Sequence, residues 1–234
     1  MSQIILGIDC CTRWTNLGLA VDGVILSEMN LNIGRQQASK LPELVEHMLT
    51  MQNIVLEDIS AVALTVGPGY FTGVRVGIAY GCALAKGLDI PVIPLSTLEV
   101  MAYSASKFGI TAVPLVWAGR GGVYAAAYCG EDDGLQKELI HPSFFEIDDI
   151  RGEISRLHNE QDNNVCCLCD DVKRIAELFS ETPEYPLVHC IVSGGILAYL
   201  GTQYKAREVS PEQVRPLYLR DPDFGTFQKN IKNK

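Results

Sequence analysis

Val66-Gly67-Pro68-Gly69-Tyr70-Phe71-Thr72-Gly73-Val74-Arg75-Val76-Gly77-Ile78-Ala79-Tyr80-Gly81 decides how this chain is read. An apolar, β-rich run from Ala61 to Val66 feeds a Gly-Pro-Gly loop. Thr72 stands where a helix N-cap is expected, able to accept from an otherwise orphaned backbone N–H. Beyond it Gly73, Gly77 and Gly81 recur every fourth residue and Ala85 continues the row, which leaves one helix face nearly bare of side chains. Two interior glycines cost about 2 kcal/mol relative to alanine, and close approach of another backbone is the expected compensation. The segment raises two uses: an anion site at the loop, or a seat for another helix.

Outward from this stretch, the first hundred residues are regular. Ile4–Asp9 reads as a short strand buried on both faces. Cys10–Trp14 turns the chain, Thr15–Val21 returns as a second strand, Asp22-Gly23 signals a type I′ hairpin, and Val24–Leu31 is a third strand. From Gln37 to Met51, Leu41, Leu44, Val45, Met48 and Leu49 fall at helical spacing. After the glycine-striped helix, which runs to about Lys86, a short strand is expected over Ile90–Ile93, and Ser96 caps a helix through roughly Lys107.

The second half starts the same way, with strand-like Ala112–Val116, a turn at 118–122 and a returning strand Val123–Tyr128. A polar turn at Gly130–Gly134, an extended run, helix-like polarity at Asp148–His158, a strand Val165–Cys169 and an amphipathic Asp171–Phe179 follow. Ser193-Gly194-Gly195 either opens a helix or lies inside one running from about Leu187 to Tyr204; the second reading is preferred. Two strand-turn-strand starts imply a pseudo-repeat. The expected fold is α/β, two tandem lobes of mixed sheet with flanking helices, the second smaller and less regular. The lobes divide as 1–108 and 109–234, with the last residues returning toward the first lobe.

A chain of 234 residues, 47% hydrophobic, can bury a sizeable core. Mean hydropathy is +0.13 and no apolar run reaches about 18 residues, so no membrane span is expected. The Met1-Ser2-Gln3 start lacks a basic n-region, and a cytosolic protein is expected. Net charge of −9 counts against nucleic-acid binding by this chain alone. Eight cysteines lack the paired C-x-x-C spacing of zinc ribbons; Cys166, Cys167 and Cys169 read better as a buried strand than as metal ligands with His189 and Cys190. No metal site is expected.

Strand-turn-strand units in both lobes are the devices with which actin-like, sugar-kinase-like and Hsp70-like ATPases cradle phosphates. Asp9-Cys10-Cys11-Thr12 keeps the acid and hydroxyl of such a hairpin but lacks its glycine, and Trp117–Gly122 offers no carboxylate. Holding a hydrated Mg²⁺ between phosphates is then harder. Asp9 is therefore read first as a structural acid. The candidate nucleotide or anion residues are Asp9, Thr12, Gly67, Gly69 and Thr72, although the loop lacks a P-loop Lys-Ser/Thr. His47, His141, His158 and His189 stand alone, and there is no G-x-S-x-G elbow. No catalytic residue is identified.

Ile8–Thr12, Gly67–Gly77, Pro94-Leu95-Ser96-Thr97-Leu98-Glu99 and Pro216-Leu217-Tyr218-Leu219-Arg220-Asp221-Pro222 carry a resemblance. In this order they make the chain strongly similar to the TsaB (YeaZ-type) family of tRNA threonylcarbamoyladenosine biosynthesis. It departs from that family with Gln37-Ala38-Ser39 in place of His-Ser-Glu, with Trp117-Ala118-Gly119 in place of Asp-Ala-Arg, and with Cys169 in place of a glycine. The resemblance implies two actin-like lobes and a non-catalytic subunit that pairs with the catalytic TsaD, helped by the ATPase TsaE, in modifying adenosine 37 of ANN-reading tRNAs. It also implies a homodimer in isolation, tRNA contact only through the complex, and ATP only at the complex interface. The expected docking surface is the helix pair at about 37–51 and 73–86, through Gly73, Val76, Gly77, Tyr80, Gly81, Leu41, Leu44 and Met48. The competing reading is an ATP-dependent kinase or ATPase using Asp9 and the interlobe cleft. An older glycoprotease label on these relatives needs a metal or nucleophile that the sequence lacks.

Overall fold

β1 (Ile4–Asp9) is apolar on both faces because neither face meets water. In the computed structural model of the chain, which describes residues 2–119, 121–131, 136–161, 164–179 and 185–220, all of β1 but its first residue is buried. It pairs antiparallel with β2 (Thr15–Val21) and parallel with β4 (Ala61–Thr65). With β3 (Val24–Leu31) and β5 (Val92–Leu95) these form a five-stranded mixed sheet in the order β3-β2-β1-β4-β5. Asp22 and Gly23 at φ 49° and 79° make the β2–β3 turn, as a type I′ hairpin requires.

The second half repeats this plan strand for strand. β6 (Thr111–Trp117), β7 (Gly122–Gly130), β8 (Gln136–Glu146), β9 (Val165–Cys169) and β10 (Leu187–His189) form a sheet ordered β10-β9-β6-β7-β8, with the same antiparallel and parallel pairings. α1 (Gln37–Met51) and α2 (Phe71–Leu88) cover one face of the first sheet, with Leu41, Val45, Met48 and Leu49 in the core beside Leu6, Ile8 and Leu64. α4 (Ile147–Glu160) and α5 (Val172–Leu178) cover the outer face of the second, through Ile150, Ile154, Leu157 and Ile175. The second lobe is the less regular: α5 has 7 residues where α2 has 18, and register shifts interrupt β7–β8.

The remaining two helices exchange lobes. α3 (Thr97–Ser106), which follows the first sheet in the chain, packs on β6 and β7 of the second, while α6 (Gly194–Gln203) packs on β1, β2, β3 and β4 of the first. α3 and α6 touch, and one apolar cluster joins Ile5, Ala63 and Ile93 to Leu98, Met101, Leu197 and Leu200 and on to Ala112, Val116 and Ala126. Gly7 and Gly18 are a cross-strand pair, leaving a pit in the sheet surface. The first turn of α6 drops into that pit: a side chain at Gly7 would sit 2.6 Å from Gly194 O, and one at Gly194 would strike the Leu17 backbone.

Local expectations meet three corrections. Thr72 is not a cap: Tyr70 N donates to Cys11 O at 2.7 Å, which turns the chain into α2 two residues early, and Tyr70 at the N-cap position makes no side-chain bond. Ile90 still belongs to the end of α2, donating to Ala85 O at 3.0 Å, so β5 starts at Val92. Leu187–His189 is a strand, and α6 opens at Ser193, whose hydroxyl accepts from Ile196 N. Ser96 does cap α3, accepting from Leu98 N. Among the described residues no helix is long and apolar enough to cross a membrane.

The glycine row of α2 gives an unambiguous test of packing. A side chain at Gly73 would strike the Cys10 carbonyl, whereas Gly87, on the same helix, faces open space. Gly73→Ala should cost about 2–3 kcal/mol through forced displacement, while Gly87→Ala should gain about 0.5–1 kcal/mol from helix propensity. Urea unfolding midpoints of the two variants check both signs.

Candidate functional site

The C-terminal ends of β1, β4, β6 and β9 meet between the lobes, where parallel α/β architectures hold ligands. Asp9 ends β1 there, fully buried. Its Oδ1 accepts from Cys11 N at 3.0 Å and from the Thr65 hydroxyl at 2.5 Å, and its Oδ2 accepts from Asn16 Nδ2 at 2.7 Å. Burial pushes its pKa up, against those hydrogen bonds, with Thr65 the strongest opponent. The carboxylate faces its own turn. Thr12 is also buried, its hydroxyl accepting from Trp14 N at 3.3 Å.

The Gly67-Pro68-Gly69 loop is held on three sides. Gly67 (φ +108°) accepts from Thr97 N at 2.9 Å, Val66 O accepts from Leu217 N at 2.7 Å, and a side chain at Gly69 would strike Cys11 O. Asp9, Thr12, Gly67 and Gly69 therefore do converge, but on Cys10, Cys11 and one another, while Thr72 is exposed on the first turn of α2. Gln37, standing where the resembled family has histidine, is buried and donates from Nε2 to Trp14 O at 3.2 Å.

Across the mouth, Trp117 ends β6, its ring 6.2 Å from that of Tyr70. A carboxylate does reach the second-lobe turn, from the end of β9: Asp170 Oδ1 accepts from Trp117 N at 3.2 Å. Spacing along the turn itself could not reveal it. Arg174 stacks over Trp117 at 4.4 Å, and Asp171 binds both Arg13 (3.6 Å) and Arg174 (3.4 Å). Asp171 also caps α5, accepting from Arg174 N. The cysteine strand divides by strand alternation: Cys167 and Cys169 lie in the core under α4 and α5, whereas Cys166 packs against the interlobe cluster. Among the described residues no group of three or more His, Cys, Asp or Glu side chains is placed to hold a metal.

The expected docking residues split. Gly73, Gly77 and Gly81 face inward, against the Cys10 backbone, the Cys10 side chain at 3.4 Å, and Leu64; Leu41 and Met48 are in the core. These five are corrected to internal packing residues, because the bare ridge lets α2 lie directly on the end of β1 and on β4. Val76, Tyr80 and Leu44 remain half-exposed at the margin of that core. With exposed Ala79, Ala83 and Met51 they form the outer face of the α1–α2 pair.

A sequence profile of the family described as "TsaD: tRNA N6-adenosine threonylcarbamoyltransferase" matches residues 26–162. The Escherichia coli (strain K12) "tRNA threonylcarbamoyladenosine biosynthesis protein TsaB" is 38% identical over 149 residues, covering 58% of this chain and 64% of that protein. The Bacillus subtilis (strain 168) protein of the same description is 29% identical over 136 residues, covering 58% and 59%. The chain thus matches less than two thirds of the length of these relatives. A solved structure described as "YeaZ from Pseudomonas aeruginosa" superposes with TM-score 0.74 at 23% identity, covering 93% of this chain and 100% of that one. A second Pseudomonas aeruginosa structure, "an uncharacterized protein with similarity to peptidase YEAZ", gives 0.79 at 22% identity with the same coverage. At these identities the two structures speak to the fold.

Asp170 makes the mouth sensitive to pH. It is 7% exposed, and burial pushes its carboxyl up from 3.8 to about 6, the Trp117 N–H opposing and Asp171 adding to the rise. A carboxyl whose folded pKa exceeds its unfolded one is favoured protonated in the fold. Stability is then full below the unfolded value and falls as pH climbs through about 6. Asp170→Asn keeps the acceptor and removes that loss. It should be more stable than the parent at about pH 7.5 by about 1–2 kcal/mol and close to it near pH 4. Urea unfolding across that range measures the difference, and an unaltered slope would refute the assignment.

Proposed function

The chain belongs to the tRNA N6-adenosine threonylcarbamoyltransferase family, as a TsaB (YeaZ-type) member of the actin-like superfamily, and from that premise we propose that it is a non-catalytic subunit in threonylcarbamoylation of adenosine 37 of ANN-decoding tRNAs. In this reading it docks the catalytic TsaD subunit, with TsaE as the assisting ATPase. The family membership supports the pathway, and the names of the curated relatives agree with it. The observation that carries the non-catalytic role is Asp9. The acid that would hold a hydrated cation against phosphates has Oδ1 and Oδ2 turned onto Cys11, Thr65 and Asn16. Beyond the glycine loop, Tyr70 meets Trp117 of the second lobe, with ring centroids 6.2 Å apart. ATP enters this scheme only at the interface with the partner.

Docking falls to the outer face of α1 and α2, where small exposed Ala79 and Ala83 alternate with half-buried Val76 and Tyr80. A small-residue stripe flanked by apolar side chains allows a partner helix to approach closely. The same face serves a second copy of the chain when the partner is absent. The inward glycine row keeps α2 tight against its sheet, so this face is presented rigidly.

Ala83→Arg places a cation on that face and touches no core residue. It should abolish co-elution with TsaD on size-exclusion chromatography, with a melting temperature within a degree or two of the parent. Retained co-elution would move the interface elsewhere.

A further inference from the structure

Four arginines rim the interlobe mouth, each set by a neighbouring group. Arg75 on α2 lies 3.7 Å over the Phe71 ring and donates from Nε to Tyr218 Oη at 3.0 Å, and Phe71 stacks on Tyr218 at 5.5 Å. Two residues on, Arg220 lies 4.8 Å over Phe144 of β8. On the opposite rim, Arg174 lies over Trp117, and Arg13 is linked to it through Asp171. The Tyr70–Trp117 contact closes the circuit. Residues 214–220 thereby strap the first lobe, at Val66, to the second, at Phe144.

This concentration is unexpected on a chain of net charge −9. Among the described residues neither Arg75 nor Arg220 has a carboxylate partner within salt-bridge distance, and the Arg13 and Arg174 side chains are 48% and 37% exposed. The Tyr70 hydroxyl is buried beneath them, with the Arg13 guanidinium beside it. A guanidinium laid flat on a ring loses little further freedom on binding, and its fork matches phosphate bidentately. Exposed Phe71 and Tyr218 (39% and 41%) put aromatic edges between the charges, and alternating cations and rings are what single-stranded nucleic acid uses.

We infer that this rim is a contact for the sugar-phosphate backbone of an RNA strand. The inference rests on the tRNA-modification reading for its choice of RNA, but not on the docking face, which lies on the outer side of α1 and α2. An acidic protein segment would match the charges but not the interleaved rings.

Fluorescence anisotropy of the full chain with a fluorescein-labelled, unmodified ANN-reading tRNA transcript at low salt tests it. Binding should weaken linearly on a log–log salt plot. Arg13→Glu and Arg220→Glu should each weaken it several-fold and lower the slope by about one, while Arg220→Lys restores the slope. Arg156→Glu, on α4 and paired to Glu153 and Glu160, serves as the surface control and should bind like the parent. No saturable binding, equal binding by the Arg13 and Arg220 variants, or displacement by equimolar inorganic tripolyphosphate overturns the inference. Co-elution of the same variants with TsaD reads the docking proposal separately, so either can fail alone.

Discussion

The reciprocal placement of α3 and α6 is the contact on which the rest of the molecule depends. Each lobe alone is a sheet with helices on one face and nothing on the other. The missing layer comes from the helix that ends the opposite lobe. Leu98 and Met101 on α3 and Leu197 and Leu200 on α6 are buried to within about 2% exposure, and fully burying such side chains contributes about 1.5–3 kcal/mol each. Spreading the lobes would return several of them to water together. Glu99 on α3 adds a clasp, both its carboxylate oxygens accepting from Arg207 at 2.9 Å in the segment after α6. Two lobes that exchange helices in this way behave as one body.

That rigidity shapes the mouth. A nucleotide-hydrolysing relative of this architecture needs a cleft that opens and closes around its ligand. Here the strap bonded to Val66 and the Tyr70–Trp117 contact tie the two lobes together across that mouth. Two of its carboxylates are buried, in different surroundings: Asp9 has three donors and no access to solvent, whereas Asp170 has the backbone N–H groups of Trp117 and Asp171 and the partly exposed Asp171 carboxylate as a neighbour. Asp9 is thereby fixed as a turn-forming acid. Asp170 keeps a raised pKa because the backbone N–H groups of Trp117 and Asp171 do not offset its desolvation, to which the Asp171 charge adds.

Much of the architecture was legible in the sequence, for identifiable reasons. β1, β2, β3 and α1 start and stop where a short apolar run, a type I′ turn and 3.6-residue spacing place them, because those signals are local. The helix exchange was not legible, since an apolar helix such as α3 does not encode which sheet it will cover. The glycine row of α2 identified a close backbone approach but not its direction: Cys10 of the same chain satisfies the spacing as well as a partner helix would. Asp170 escaped notice because its role depends on β9 lying beside β6, a non-local pairing. The two-lobe plan was legible in the repeated strand-turn-strand starts, the family resemblance supplied the pathway, and bulk charge concealed the rim because four arginines at one mouth hardly alter a total of −9.

α2 shows how one helix can meet two demands that would conflict on a single face. Its inward face must be bare, because the turn at Cys10 carries buried Asp9 and leaves no room for side chains between that turn and the helix. A bulkier inward face would lift α2 off the sheet, exposing Leu64 and loosening the glycine loop that Thr97 and Leu217 grip. Its outward face is then free to carry small and half-buried apolar residues without risk to the core, since nothing in the core leans on Ala79 or Ala83. Rigidity inward is what makes the outer face useful: a surface whose backbone is already fixed loses little conformational entropy when another molecule covers it.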